Sequence, residues 1–282
     1  MKKYSIVLLS VAVSIIMIGS LCMTSCKKNS SASPSNDSAV FLFHFHTQIV
    51  DSTIGGIPGP DSNTTGSNNP WYLDSLGRRI ELFVPQFFVS NITLANANGS
   101  TLPLNNVVVL KGLDSEDYYL CKVPVGTYTS ATFTVGLSSA NDVLPPTTLF
   151  ITDGIPYPTQ STMWNGTNYY SMVITGAYDT SAAGAAGGTP VNPIPFSFQI
   201  PNSLTAQYRI SLPTRGTGAA SNYPVYVATA GSIDYIHVLC DYGKLLGSIK
   251  NLRTSNMTNG TTNAAIADTL ANDIPNMFRY EE

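Results

Sequence analysis

Residues 117–139 read DYYLCKVPVGTYTSATFTVGLSS. Tyr, Thr, Phe and Val alternate there with smaller or polar residues, and Pro124, Gly126 and Gly136 punctuate the run, a texture that suits pleated strands closed by turns. Within GTYTSATFTVG the pattern predicts that Tyr128 and, after a change of phase at Ala131, Phe133 and Val135 share the inner surface of a sheet. The same texture extends both ways along the chain. Upstream it covers residues 40–50, the two apolar runs of 78–104 that Pro85 interrupts, and 106–113; downstream it covers 168–178, 195–201, 206–213, 223–231 and 233–243. A turn-rich insertion at 51–70, a long irregular segment at 137–167 and a low-complexity stretch at 179–193 break the pattern. TTNAAIADTLANDIPNMF (261–278) reads as a helix capped near Thr262 or Asn263 and stopped before Pro275. About ten short strands and a terminal helix predict an all-β fold: an antiparallel, Greek-key-like β-sandwich with long loop insertions and a short C-terminal helix, a barrel being the second arrangement.

The 282 residues hold 14 Lys+Arg against 17 Asp+Glu, with only 11% charged residues. No basic run or stripe is present, so the electrostatic footprint of a nucleic-acid binder is missing. The low charge and the abundance of turn residues suit an exported protein. Lys2 and Lys3, an apolar stretch from Ile6 to Leu21 and small residues before Cys26 make residues 1–25 a secretion signal. MTSC (23–26) resembles a lipobox, which makes Cys26 the expected lipidation site; Cys22 follows the bulky Leu21 and fits cleavage less well. A transmembrane anchor is the competing reading of the same apolar stretch. Residues 26–39 then form a flexible tether to the membrane and residues 40–282 the folded domain, in the cell envelope. Cys121 and Cys240 remain in that domain, either paired as a disulfide in an oxidising compartment or as two buried thiols.

FLFHFHTQIV (41–50) holds two of the three histidines. Residues two apart on a strand project to one face, so His44 and His46 point together while Phe43 and Phe45 point to the other side. Side-by-side imidazoles suit copper or zinc, and His237, in another predicted strand, joins them if the two strands are neighbours. The competing reading makes all three polar residues on a wet face. Asp114, Glu116 and Asp117 cluster as oxygen ligands for calcium or as a solvated turn. Trp164, Tyr169 and Tyr170 read as a sugar-stacking platform or as packing. No nucleophile elbow, zinc-protease helix, phosphate loop or dinucleotide fingerprint occurs, so the sequence predicts no enzyme.

Several segments together resemble the MbnP-like family: VFLFHFHTQIV, GRRIELFVPQFFVSNITLANANGS, DYYLCKVPVGTYTSATFTVGLSSAND, MWNGTNYYSMVITGAY, DYIHVLCDYGKLL and IADTLANDIPNMF. The resemblance spans residues 40–280 and fits the family's Bacteroidota lipoprotein branch. Better known members are copper-binding periplasmic or surface proteins of methane-oxidising bacteria. The resemblance therefore implies copper as cofactor, a site of histidines with a tryptophan oxidised to kynurenine, and a di-haem, peroxidase-like partner. Carried onto this chain, His44, His46 and His237 become the ligands and Trp164 the metal-site aromatic. Gln199 stands where members often have histidine, and an amide is a poor copper ligand. Two functions follow as expectations: a lipid-anchored copper protein for scavenging, storage or delivery, or a structural or carbohydrate-interaction module of the envelope.

Overall fold

Alternate residues of the first strand, β1 (Ser38–Gln48), are buried, which fixes the side of the sheet that holds the core. Phe41, Phe43 and Phe45 point inward and are fully buried. The computed structural model of the protein describes residues 38–49, 72–73, 76, 78–112, 115–154, 159–179, 193–204, 206–211, 226–259 and 262–280. The expected signal peptide, Cys26 and the tether up to residue 37 lie outside the described residues, as do the insertions at 51–70 and 180–192. β1 itself begins two residues before the boundary expected at residue 40.

The further strands are, in chain order, β2 (Tyr72–Leu73), β3 (Arg79–Asn96), β4 (Thr101–Leu104), β5 (Val109–Lys111), β6 (Asp117–Pro124), β7 (Gly126–Val135), β8 (Asp153–Gly154), β9 (Tyr170–Asp179), β10 (Pro193–Pro201), β11 (Ala206–Ser211), β12 (Val227–Ala228), β13 (Ile233–Asp241), β14 (Met257–Thr258) and β15 (Phe278–Tyr280). Short helices α1 (Ser139–Asp142), α2 (Thr159–Thr162) and α3 (Tyr242–Gly247) precede the longer α4 (Ala264–Met277). A four-stranded sheet runs in the order β15-β13-β1-β6, and a larger one is built on β11-β7-β3-β9-β10-β14. The fold is all-β and sandwich-like, as expected, but its sheets are mixed. β1 lies parallel to β13, β10 to β14 and β5 to β8, whereas the remaining pairings are antiparallel. A parallel neighbour needs a long crossover, and between β1 and β13 most of the chain supplies it.

The inner faces meet in an aromatic core. Phe43 packs edge-on against Phe133 at 5.4 Å, Phe41 against Tyr128 at 5.1 Å and Phe45 against Phe87 at 5.9 Å. The change of phase predicted in β7 is present: Tyr128 and Ser130 are buried, then Ala131, Phe133 and Val135. β3 runs straight through Pro85, which pairs with Ile174 of β9. Its β9 pairing is irregular between Leu82 and Val84, and proline is tolerated beside such a bulge. Phe88, next to Phe87, faces the opposite side of the sheet and seeds a second cluster with Leu110, Leu137, Ile151, Met163 and Tyr169.

α4 starts where expected, with Asn263 at the N-cap, but the Asn263 side chain bonds the Met257 carbonyl at 2.8 Å instead of capping the helix. The helix also continues past Pro275 to Met277. A proline this close to the end removes one backbone bond at most, and the burial of Ile274 and Met277 in the core holds the last turn.

Candidate metal centre

Strand register builds the site. His44 on β1 stands opposite His237 on β13 and opposite Asp117 on β6, so three polar side chains form a row across the outer face of the smaller sheet. His46 projects from the same face one pleat further on. The ladder to β6 continues there, because the Phe45 amide donates to the Glu116 carbonyl at 2.9 Å, and this brings Glu116 beside both rings.

The donor atoms converge. Nε2 of His44 and Nε2 of His46 are 2.5 Å apart, with ring centroids at 4.3 Å. Oε2 of Glu116 lies 3.9 Å from each of those nitrogens. Nδ1 of His44 donates to Oδ1 of Asp117. An ionised carboxylate only accepts, so Nδ1 supplies the proton of this contact, and Nε2 is the ring atom that faces His46 and Glu116. Among the described residues, His44, His46 and Glu116 form the group whose donor atoms all lie within 4.8 Å of one another. Two ligands held ~2.0 Å from one ion at a tetrahedral angle sit ~3.3 Å apart, a value that the 2.5 and 3.9 Å separations bracket. Two imidazoles and a carboxylate therefore fit a late first-row metal in chemistry and in spacing.

His237 flanks this group, its ring centroid 4.8 Å from His44 and 6.3 Å from His46. Tyr235, two residues earlier on β13, stands edge-on to His44 at 6.0 Å and is itself exposed. The Glu116 segment is held from beneath. Lys111 is fully buried and donates through Nζ to Thr47 Oγ1 at 3.2 Å, to Ser115 O at 3.0 Å and to Gly112 O. The Tyr118 hydroxyl donates to Ser115 O at 2.9 Å and accepts from the Gly112 amide at 3.1 Å; burial pushes it up to about 12.

The structure brings His44, His46 and His237 onto one face and places Trp164 elsewhere. Trp164 packs on Tyr169 at 4.7 Å, against the cluster on the far side of the larger sheet. The aromatic beside the histidines is Tyr235. Tyr169 and Tyr170 are buried, so they offer no sugar-stacking face. Of the two alternatives for Cys121 and Cys240 the structure has the thiols, Cys240 buried and Cys121 partly so. They sit on β6 and β13, on opposite sides of β1, at the levels of Phe41 and Thr47. Two sheet spacings of ~4.7 Å and six residues of ~3.3 Å rise separate them, far beyond disulfide reach. Burial pushes the Cys121 thiol up to about 11.

Glu116, Asp117 and Tyr235 are the site residues that sequence reasoning missed. Tyr235 was readable, because it precedes His237 by two on one strand and so shares its face. The acids appeared only as a calcium site or a wet turn, since nothing in the sequence pairs β6 with β1.

Residues 63–264 match the family model for MbnP. The chain belongs to the MbnP family. The span matched in this MbnP-family protein holds Glu116, Asp117, Trp164 and His237 and begins after β1, so the case for His44 and His46 rests on geometry. MbnP from Methylosinus trichosporium is a similar solved structure, with 13% identity over 74% of this chain and 78% of that chain and a TM-score of 0.41. Comparison with curated protein sequences gives no match.

Proposed function

We propose that this protein binds one copper ion outside the cytoplasm, anchored to a membrane through a lipid on Cys26, and serves in copper scavenging, storage or delivery without turnover of its own. The convergence of Nε2 of His44, Nε2 of His46 and the Glu116 carboxylate carries the reading. His44 and His46 would hold the ion, His237 would flank it as a further imidazole, and Tyr235 would limit water access. A bound copper ion would supply tight, exchangeable coordination and a one-electron couple. Family membership adds support for copper over zinc. A lipid anchor draws its support from the lipobox-like MTSC of residues 23–26, and a di-haem, peroxidase-like partner from the family resemblance alone.

The test uses the full chain, exported with its own N-terminus and without an added polyhistidine tag. Near-stoichiometric copper in the purified wild type, lost in the His44→Ala/His46→Ala double variant, is the expected result. A wild type that stays metal-free and folded after copper challenge would return the histidines to the wet face of a sheet and favour an envelope interaction module. Cys26→Ser is expected to move the protein from the membrane to the soluble fraction; retention in the membrane would point to an uncleaved span.

A further inference from the structure

We propose that the Ser38 end of the sandwich, with the adjoining outer face of the smaller sheet, is a membrane-docking surface that rests on the bilayer holding the Cys26 lipid. The proposal rests on the lipid-anchor reading above and is independent of any bound metal.

The outer face changes character in steps along β1. Nearest its start, Val40 stands between Lys122 of β6 and Ile233 of β13. Leu42 follows between Tyr119 and Tyr235, and then His44 between Asp117 and His237. Each row lies ~6.6 Å beyond the last, two residues along the strand. Ile233, Tyr119, Tyr235 and Lys122 are exposed, and Val40 and Leu42 partly so. The apolar surface also turns the corner of the sandwich. Val125 is exposed in the turn beyond Pro124, which is the partner of Ser38, and Val227 is exposed where it pairs with Thr127 beside that turn. Single exposed apolar residues are ordinary on a protein surface, whereas a contiguous group of them marks a surface that something covers.

What covers it follows from where the chain enters. Ser38 opens β1 at this same end, and its carbonyl accepts from the Gly231 amide at 2.8 Å. Cys26 stands twelve residues earlier, and a stretch of that length reaches ~40 Å at most. A lipid on Cys26 therefore presents this end of the domain to the bilayer at high effective concentration, and a weak contact is then enough to set the orientation. The order of the rows suits a lipid surface. Aliphatic side chains lead together with a lysine, tyrosines follow at the level of the headgroups, and the carboxylates of Glu116 and Asp117 stay furthest out, clear of anionic lipid. Docked in this way, the row of His44 stands ~13 Å beyond the row of Val40, in the water layer next to the membrane.

The test uses the lipidated full chain in vesicles of phosphatidylethanolamine and phosphatidylglycerol, read by hydroxyl-radical footprinting. Val125→Asp/Ile233→Asp places two carboxylates in the contact; both side chains are exposed, and the thermal midpoint checks that the variant keeps the fold. Tyr119 and Tyr235 are expected to be modified about fivefold faster in this variant than in the wild type. Phe83, near the far end of β3, and Leu149, in the segment over the larger sheet, are exposed references that should not change. Val125→Leu/Ile233→Leu keeps the surface apolar and is expected to keep both tyrosines protected. Equal tyrosine rates in the wild type and the aspartate variant overturn the docking surface while the anchor stands. Protection that fades as the chain is diluted in lipid assigns the face to a second copy and overturns it as well. A wild type that fails to enter the vesicles overturns the anchor reading together with this one.

Discussion

On the larger sheet Phe88 faces outward and is covered by Leu137, Ile151, Met163 and Tyr169; on the smaller sheet His44 faces outward and stays partly open beside Glu116 and Asp117. Both positions sit on a strand whose adjacent residue, Phe87 or Phe45, is sealed in the same central core. The long segment between β7 and β9 explains the difference. It folds back over the larger sheet, supplies the covering side chains and is tied down by Asp142, whose carboxylate accepts from the Tyr169 amide at 2.9 Å. One outer face is thus a place where a loop adds stability through burial, and the other a place where polar groups stay partly open.

The largest effect expected from breaking this contrast comes from His44→Ala/His46→Ala, which should abolish copper binding in a competition titration. The same variant should leave the melting temperature without metal nearly unchanged, because both rings are partly exposed. Phe88→Ala is expected to do the reverse, costing about 3–5 kcal/mol in denaturant unfolding while copper affinity per folded molecule holds. A double-histidine variant that unfolds, or a Phe88 variant that loses copper selectively, would erase the distinction between the faces. His237→Ala should weaken copper binding by about tenfold, near 1.4 kcal/mol, as expected of a flanking imidazole. Tyr118→Phe should cost about 1 kcal/mol and loosen the Glu116 segment, seen as a few-fold weaker affinity. The Tyr118 hydroxyl holds its proton more tightly folded than unfolded, so its contribution is complete below pH 10 and fades as the pH climbs towards 12. An alkaline stability scan should therefore decline less steeply in Tyr118→Phe than in the wild type. Smallest of all, a reductant should shift stability by under about 0.5 kcal/mol, against the ~2–4 kcal/mol that a disulfide between Cys121 and Cys240 would contribute.

Strand alternation made the inner faces readable in advance. Phe43 and Phe45 against His44 and His46, and the phase change at Ala131, follow from a period of two that depends on neighbours along the chain. What the sequence did not carry was adjacency between strands. The parallel pairing of β1 with β13 and the meeting of β6 with β1 are decided by the packing of the whole sandwich, so Glu116 and Asp117 kept the appearance of a solvated turn. Trp164 was misplaced, and the choice between thiols and a disulfide stayed open, for the same reason: a family motif or a pair of like residues says nothing about which side of a sheet, or which side of β1, each one occupies. Pro85 and Pro275 were read as breaks because local rules make them so. Their positions beside a bulge and in a last helical turn reduce the penalty that those rules describe.

The strand that carries the two histidines is clasped on one edge by β13, which comes from near the other end of the chain. During synthesis β1 has only β6 to pair with until β13 is made, and a two-stranded ribbon is marginal by itself in water. The row of His44 and His237 therefore forms late, when a pairing of very high sequence separation closes, and such pairings are slow. Under the proposed copper-binding function, the flanking imidazole of His237 would join the site only when the fold is complete.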